Sequence, residues 1–175
     1  FTGIGIVTDV NGNGIANVQI LIYNNDFTYT LTSDQNGNFN VANMYDGNYE
    51  VIAGQWGYNT VCTNESITST NNNLTIVLPE GYYDDFTFDF GWSVSGGITS
   101  NDPGVWERGS PEGTSDQGLN YNPDIDVSSD CFEYAYVTGL DAGSQTGSND
   151  VDDYNTILIS PIFDLTSNQP HFLEY

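Results

Sequence analysis

Lysine is absent from this 175-residue chain, and arginine and histidine occur once each, as Arg108 and His171. Against that scarcity stand 24 Asp and Glu, giving a formal net charge of −23. A surface so acidic repels phosphate backbones and anionic lipid, which argues against nucleic acid and membrane surfaces as partners. No apolar run approaches the roughly 18 residues of a membrane helix, so no membrane insertion is expected. One His and one Arg also leave little with which to assemble a general base, nucleophile or oxyanion site. HExxH, GxSxG, P-loop and dinucleotide-binding patterns are all missing, and no enzyme is expected. The two cysteines, Cys62 and Cys131, match no metal-ligand spacing and read as a disulfide or as two free thiols.

Acidic chains poor in aromatics tend to be disordered, but this one carries 12 Tyr, 9 Phe and 3 Trp within alternating apolar patterns. From Gly3 to Leu78 short runs of period two follow one another, with Val18, Ile20 and Ile22 sharing one face and Tyr49, Val51 and Ala53 another. Between the runs stand turn signals, Asn11-Gly12-Asn13-Gly14, Asp34-Gln35-Asn36-Gly37 and Asp46-Gly47, whose Asn and Gly tolerate positive φ. Strands at this spacing predict a β-sandwich. Asp9-Val10-Asn11-Gly12-Asn13-Gly14 imitates the opening of an EF-hand loop, but Ile20 stands where the closing Glu belongs, so a hairpin turn is the better reading.

Five pieces in order carry a family resemblance: Gly5-x-Val7-x-Asp9; Gly14-Ile15-x-x-Val18-x-Ile20; Thr32-Ser33-Asp34-x-x-Gly37-x-Phe39-x-Val41; Gly47-x-Tyr49-x-Val51-x-Ala53 with Gly57-Tyr58; and Leu74-x-Ile76-x-Leu78. Together they resemble the carboxypeptidase regulatory-like domain. The resemblance implies a seven-stranded transthyretin-like sandwich over residues 1–80 that serves as a non-catalytic spacer, folding aid or adhesion module of secreted and surface proteins. Pro79-Glu80-Gly81 ends that pattern. Residues 81–175, with Asp85-Phe86-Thr87-Phe88, Gly91-Trp92, Gly104-Val105-Trp106-Glu107-Arg108 and Ser160-Pro161, resemble the MAM-like jelly-roll modules of bacterial secreted proteins. A jelly roll uses about eight strands. The chain stops inside an apparent strand at Phe172-Leu173-Glu174-Tyr175 and opens at Phe1 inside another, so it reads as a piece of a longer protein with an incomplete second module.

Most acids are read as solvated surface. Asp84 with Asp85, and Asp150 with Asp152 and Asp153, are clustered enough to repel one another unless a cation intervenes, and these five are the expected Ca²⁺ ligands. Asp141-Ala142-Gly143 lacks the flanks of an aspartic-protease turn and reads as a loop. Trp56, Trp92, Trp106, Tyr121, Tyr134 and Tyr136 are expected in the core or its rim, with Tyr82 and Tyr83 exposed. Arg108 is expected to pair with carboxylates and brace a loop. The expectation is therefore an all-β, calcium-stabilised, extracellular pair of modules serving adhesion, spacing or assembly into a fibre. Its partners would be other modules, or neighbouring subunits through β edges, and surface glycans or proteins. The alternative is a pair of accessory carbohydrate- or protein-binding modules of a secreted peptidase or glycosidase.

Overall fold

The computed structural model describes residues 1–96, 104–127, 130–140, 151 and 155–166. Every regular element among them is a strand. The apolar alternation of the first half builds β1 (Gly3–Thr8), β2 (Gln19–Tyr23), β3 (Thr28–Thr32), β4 (Asn38–Val41), β5 (Gly47–Gly54), β6 (Val61–Ile67) and β7 (Asn73–Val77). These form a three-stranded sheet in the order β4-β1-β7 and a four-stranded sheet in the order β3-β2-β5-β6. The pairings are antiparallel except one. Strand β1 runs parallel to β7, from Ile4 opposite Asn73 to Thr8 opposite Val77.

The two sheets close over one core because the period-two faces meet. Val7, Val18, Ile20, Ile22, Val41, Tyr49, Val51, Ala53 and Leu78 are all buried there. Inside it Ser33 gives the backbone a polar foothold: its hydroxyl accepts from Val18 N at 2.9 Å and donates to the Ile15 carbonyl at 2.7 Å. A buried hydroxyl satisfied on both sides in this way ties the β2 entry to the β3 exit.

Two loops use one device. In Asp9-Val10-Asn11-Gly12-Asn13 the Asp9 carboxylate accepts from the backbone N–H of Asn11 and Asn13, each at 2.8 Å. In Asp34-Gln35-Asn36-Gly37-Asn38 the Asp34 carboxylate does the same for Asn36 and Asn38, again at 2.8 Å. Both are Asx-type turns whose carboxylates serve their own backbone, so the EF-hand likeness of the first is one of sequence only. Gly37 has φ of +83°, and a Cβ there would overlap the Val7 carbonyl oxygen, so the position admits glycine alone.

Beyond Gly81 the described strands are β8 (Ser93–Gly96), β9 (Trp106–Gly109), β10 (Thr114–Asp116), β11 (Leu119–Asn122), β12 (Ala135–Thr138) and β13 (Thr156–Ile159). They form three antiparallel pairs, β8 with β13, β9 with β12 and β10 with β11. The segment is all-β, as expected. The two broad sheets of a jelly roll are not seen among the described residues.

Candidate functional site

The chain leaves β7 and crosses the end of the sandwich through Tyr82-Tyr83-Asp84-Asp85-Phe86-Thr87. Asp84 is held on both oxygens: Oδ1 accepts from Phe86 N at 2.9 Å and Oδ2 from the Trp92 indole N–H at 2.7 Å. Burial pushes its carboxyl above the usual aspartate range, against the pull of those two donors. Asp85 is only 3% exposed; its Oδ1 accepts from Thr87 N at 3.0 Å, while its buried Oδ2 has no partner among the described residues. An unmet buried carboxylate oxygen is costly. Arg108, on β9, reaches back to this loop and donates to the Phe86 carbonyl at 2.8 Å and the Thr87 carbonyl at 3.3 Å. Its guanidinium lies 5.2 Å from the centroid of the Tyr134 ring. The carboxylate pairing expected of Arg108 is not seen among the described residues: it braces the loop as foreseen, but through carbonyls and an aromatic face. Both bonds come from one nitrogen, Nη1, which bridges the two successive carbonyls of the turn.

The same end of the sandwich carries the joint to the second segment. Trp56, in the turn after β5, packs against Tyr82, Phe90, Trp92 and Phe163 with ring centroids 4.9 to 6.4 Å away. Its indole N–H donates to the Ile162 carbonyl at 2.8 Å. The Tyr82 hydroxyl accepts from Asp164 N at 2.7 Å. Gly54 lets Phe88 and Phe90 approach so closely that a Cβ would stand 3.1 and 2.9 Å from their rings. Tyr82 is therefore inside an aromatic cluster, contrary to expectation, while Tyr83 is exposed as expected and Tyr121 is exposed against it. Cys62 on β6 and Cys131 are joined as a disulfide, with Cα atoms 5.7 Å apart. This settles the choice the sequence left open. Beside it the Phe132 ring meets Tyr23 edge-on at 5.7 Å.

Between β2, β5 and the Cys131 segment lies a groove of about 720 Å³ whose walls include Tyr23, Glu50, Asp126, Asp130, Phe132 and Tyr134. Asp130 is pushed up to about 6 by burial and by the neighbouring charge and hydrogen bond of Asp126, with a smaller push from Asp85. Tyr23, which donates to Glu50 Oε2 at 2.8 Å, is raised by burial and by that carboxylate.

Of the five expected calcium ligands, Asp84 and Asp85 stand side by side at this joint, and Asp150, Asp152 and Asp153 lie outside the described residues, as does His171. Among the described residues no three His, Cys, Asp or Glu side chains are gathered closely enough to hold a metal ion. Asp84 has spent both oxygens on N–H donors, whereas Asp85 keeps one free for a hard cation. Sequence reasoning missed Asp126 and Asp130, which face one another across a hydrogen bond in the groove. The signal available was the acidic run Asp124-Ile125-Asp126 with Asp130, passed over among so many acids.

A comparison with curated proteins gives no match. Among solved structures the chain is similar to the Bacillus anthracis TIE protein, at 14% identity over 46% of this chain and 16% of that one, with a TM-score of 0.39. It is also similar to a chain of a type II cohesin-X-dockerin complex from Acetivibrio cellulolyticus, at 19% identity over 44% of this chain and 56% of that one, TM-score 0.35. A DUF3823 family protein from Bacteroides ovatus aligns over 90% of this chain and 79% of its own, at 12% identity and a TM-score of 0.39. The chain thus spans about a sixth of the first of these and just over half of the second. At such scores nothing about function is drawn from them. Residues 4–79, the span of the seven-stranded sandwich, match the family model of the carboxypeptidase regulatory-like domain, a family of non-catalytic modules.

Proposed function

We propose that the chain is a non-catalytic spacer of an extracellular surface protein, in which a regulatory-like sandwich (residues 1–80) and a MAM-like module (residues 81–175) act as one stiff unit in adhesion or fibre assembly. The observation that carries this is the double joint: the Cys62–Cys131 disulfide on one flank and the Trp56 cluster on the other. Two separated attachments remove the hinge that a single linker would leave. A disulfide linking distant segments also belongs to an oxidising compartment, which supports the extracellular placement.

Calcium enters this reading at Asp85, whose free oxygen a cation would satisfy after drawing Asp126 and Asp130 toward it. Light scattering and thermal melting with millimolar Ca²⁺ and with EDTA test both parts. Assembly that loosens in EDTA, and a melting temperature raised by Ca²⁺ in the native protein but not in Asp85→Asn, is the expected result. A monomer indifferent to both, with equal melting curves, overturns the fibre and calcium parts. The accessory-binding alternative draws on the groove walled by Tyr23, Phe132 and Tyr134, and is tested by glycan and peptide arrays.

A further inference from the structure

Tension along the chain would meet a particular geometry. Strand β1 enters at the end of the sandwich marked by Gly3, Asn72 and Met44, where Phe1 N donates to the Met44 carbonyl at 3.0 Å and Met44 N to the Phe1 carbonyl at 2.8 Å. Both attachments to the second segment sit at the opposite end. Leu78 follows β7 there, with its N–H on the Thr8 carbonyl at 2.9 Å. Cys62, the second residue of β6, lies at the same end, since Asn59 N bonds the Pro79 carbonyl at 2.9 Å and Thr60 N bonds the Tyr83 carbonyl at 3.0 Å. A pull on the two ends therefore runs the length of the sandwich.

Because β1 and β7 are parallel neighbours, that pull drags β1 toward its start and β7 toward its finish. The ladder is loaded in shear, so its bonds must yield together; a hairpin pulled from its open end breaks them one at a time. The ladder is closed at both ends, by Ile4 N on the Asn72 carbonyl at 2.9 Å with Asn72 Nδ2 on the Thr2 carbonyl at 2.8 Å, and by Leu78 N on Thr8. Buried Val7, Leu74, Ile76 and Leu78 keep water from its inner face.

We infer that the sandwich is a tension-bearing clamp, and that the Cys62–Cys131 bond is its safety link. If β1 gives way, load passes from Cys62 straight to Cys131, and the chain between them cannot be drawn out. The inference rests on the spacer reading, since only a spacer carries load along its length.

Single-molecule pulling of the full chain by its two ends tests it. The two cysteines are 69 residues apart, so adding a dithiol, which reduces the bond to two thiols and is itself oxidised to a cyclic disulfide, should lengthen the fully extended chain by about 240 Å. Ile4→Pro removes one bond of the β1–β7 ladder at an exposed position and should lower the unfolding force. Ser33→Ala, which breaks buried bonds to Ile15 and Val18 outside that ladder, should weaken chemical stability and leave the force near that of the native chain. An extension unchanged by reduction overturns the safety link; equal loss of force in Ile4→Pro and Ser33→Ala overturns the clamp. Either failure leaves a stiff spacer standing, because stiffness is read separately by solution scattering.

Discussion

At the scale of the residue, the acids divide into those that the fold uses and one pair that it holds at a cost. Asp9 is held below the usual aspartate range by the Asn13 side-chain amide and then by backbone N–H bonds in its turn, and Asp34 by the backbone N–H bonds of Asn38 and Asn36. Their contribution is present above the unfolded aspartate value and is lost as pH falls through their lowered values. Asp130 has the opposite sign. Raised to about 6 beside Asp126, it binds a proton more tightly folded than unfolded, so stability is gained as pH falls through that value toward the ordinary 3.8. The net charge of −23 works in the same direction, since protonation relieves self-repulsion. Melting temperature should therefore rise between pH 7.5 and pH 5 and drop again below the aspartate range. Asp130→Asn should raise the melting temperature at pH 7.5 and flatten the rise; a variant melting lower than the native chain at pH 7.5 would contradict the assignment.

At the scale of the element, the sandwich was legible because its signals are local. Val18-x-Ile20-x-Ile22 and Tyr49-x-Val51-x-Ala53 declare a period of two, and Asp-x-Asn-Gly-Asn declares its turns. All six of those apolar residues are buried in the common core. The parallel β1–β7 pairing was not legible, because strand neighbours far apart in sequence leave no local mark. The joint was hidden for the same reason. Trp56 and Phe163 are distant in sequence, and an aromatic in a turn reads alike whether it caps a core or docks a neighbour. Beyond Gly81 the alternation is weaker: every residue of β8 and β11 is exposed, and the apolar Ile157 and Ile159 of β13 are exposed as well. Truncation of Trp56 to alanine should cost about 1–3 kcal/mol in denaturant unfolding, the range for losing a partly buried anchor. It should also make the segment from Tyr82 onward more open to proteases. Unchanged proteolysis would mean that the aromatic cluster does not hold the joint.

At the scale of the whole molecule, two bodies of β-structure are joined at two points, the Cys62–Cys131 disulfide and the Trp56 cluster. The disulfide and the aromatic cluster lie on separate elements, β6 and the turn after β5, so each limits the rotation that the other would allow. The acidic surface adds to this by keeping copies apart unless a cation bridges them. Small-angle X-ray scattering of the full chain, oxidised and then reduced under otherwise identical conditions, tests this most directly. The account predicts that the oxidised protein fits a single rigid shape and that reduction broadens it, by loosening one of its two attachments. An oxidised protein that already scatters as a flexible ensemble, or one in which Cys62 and Cys131 are found as free thiols, would contradict it.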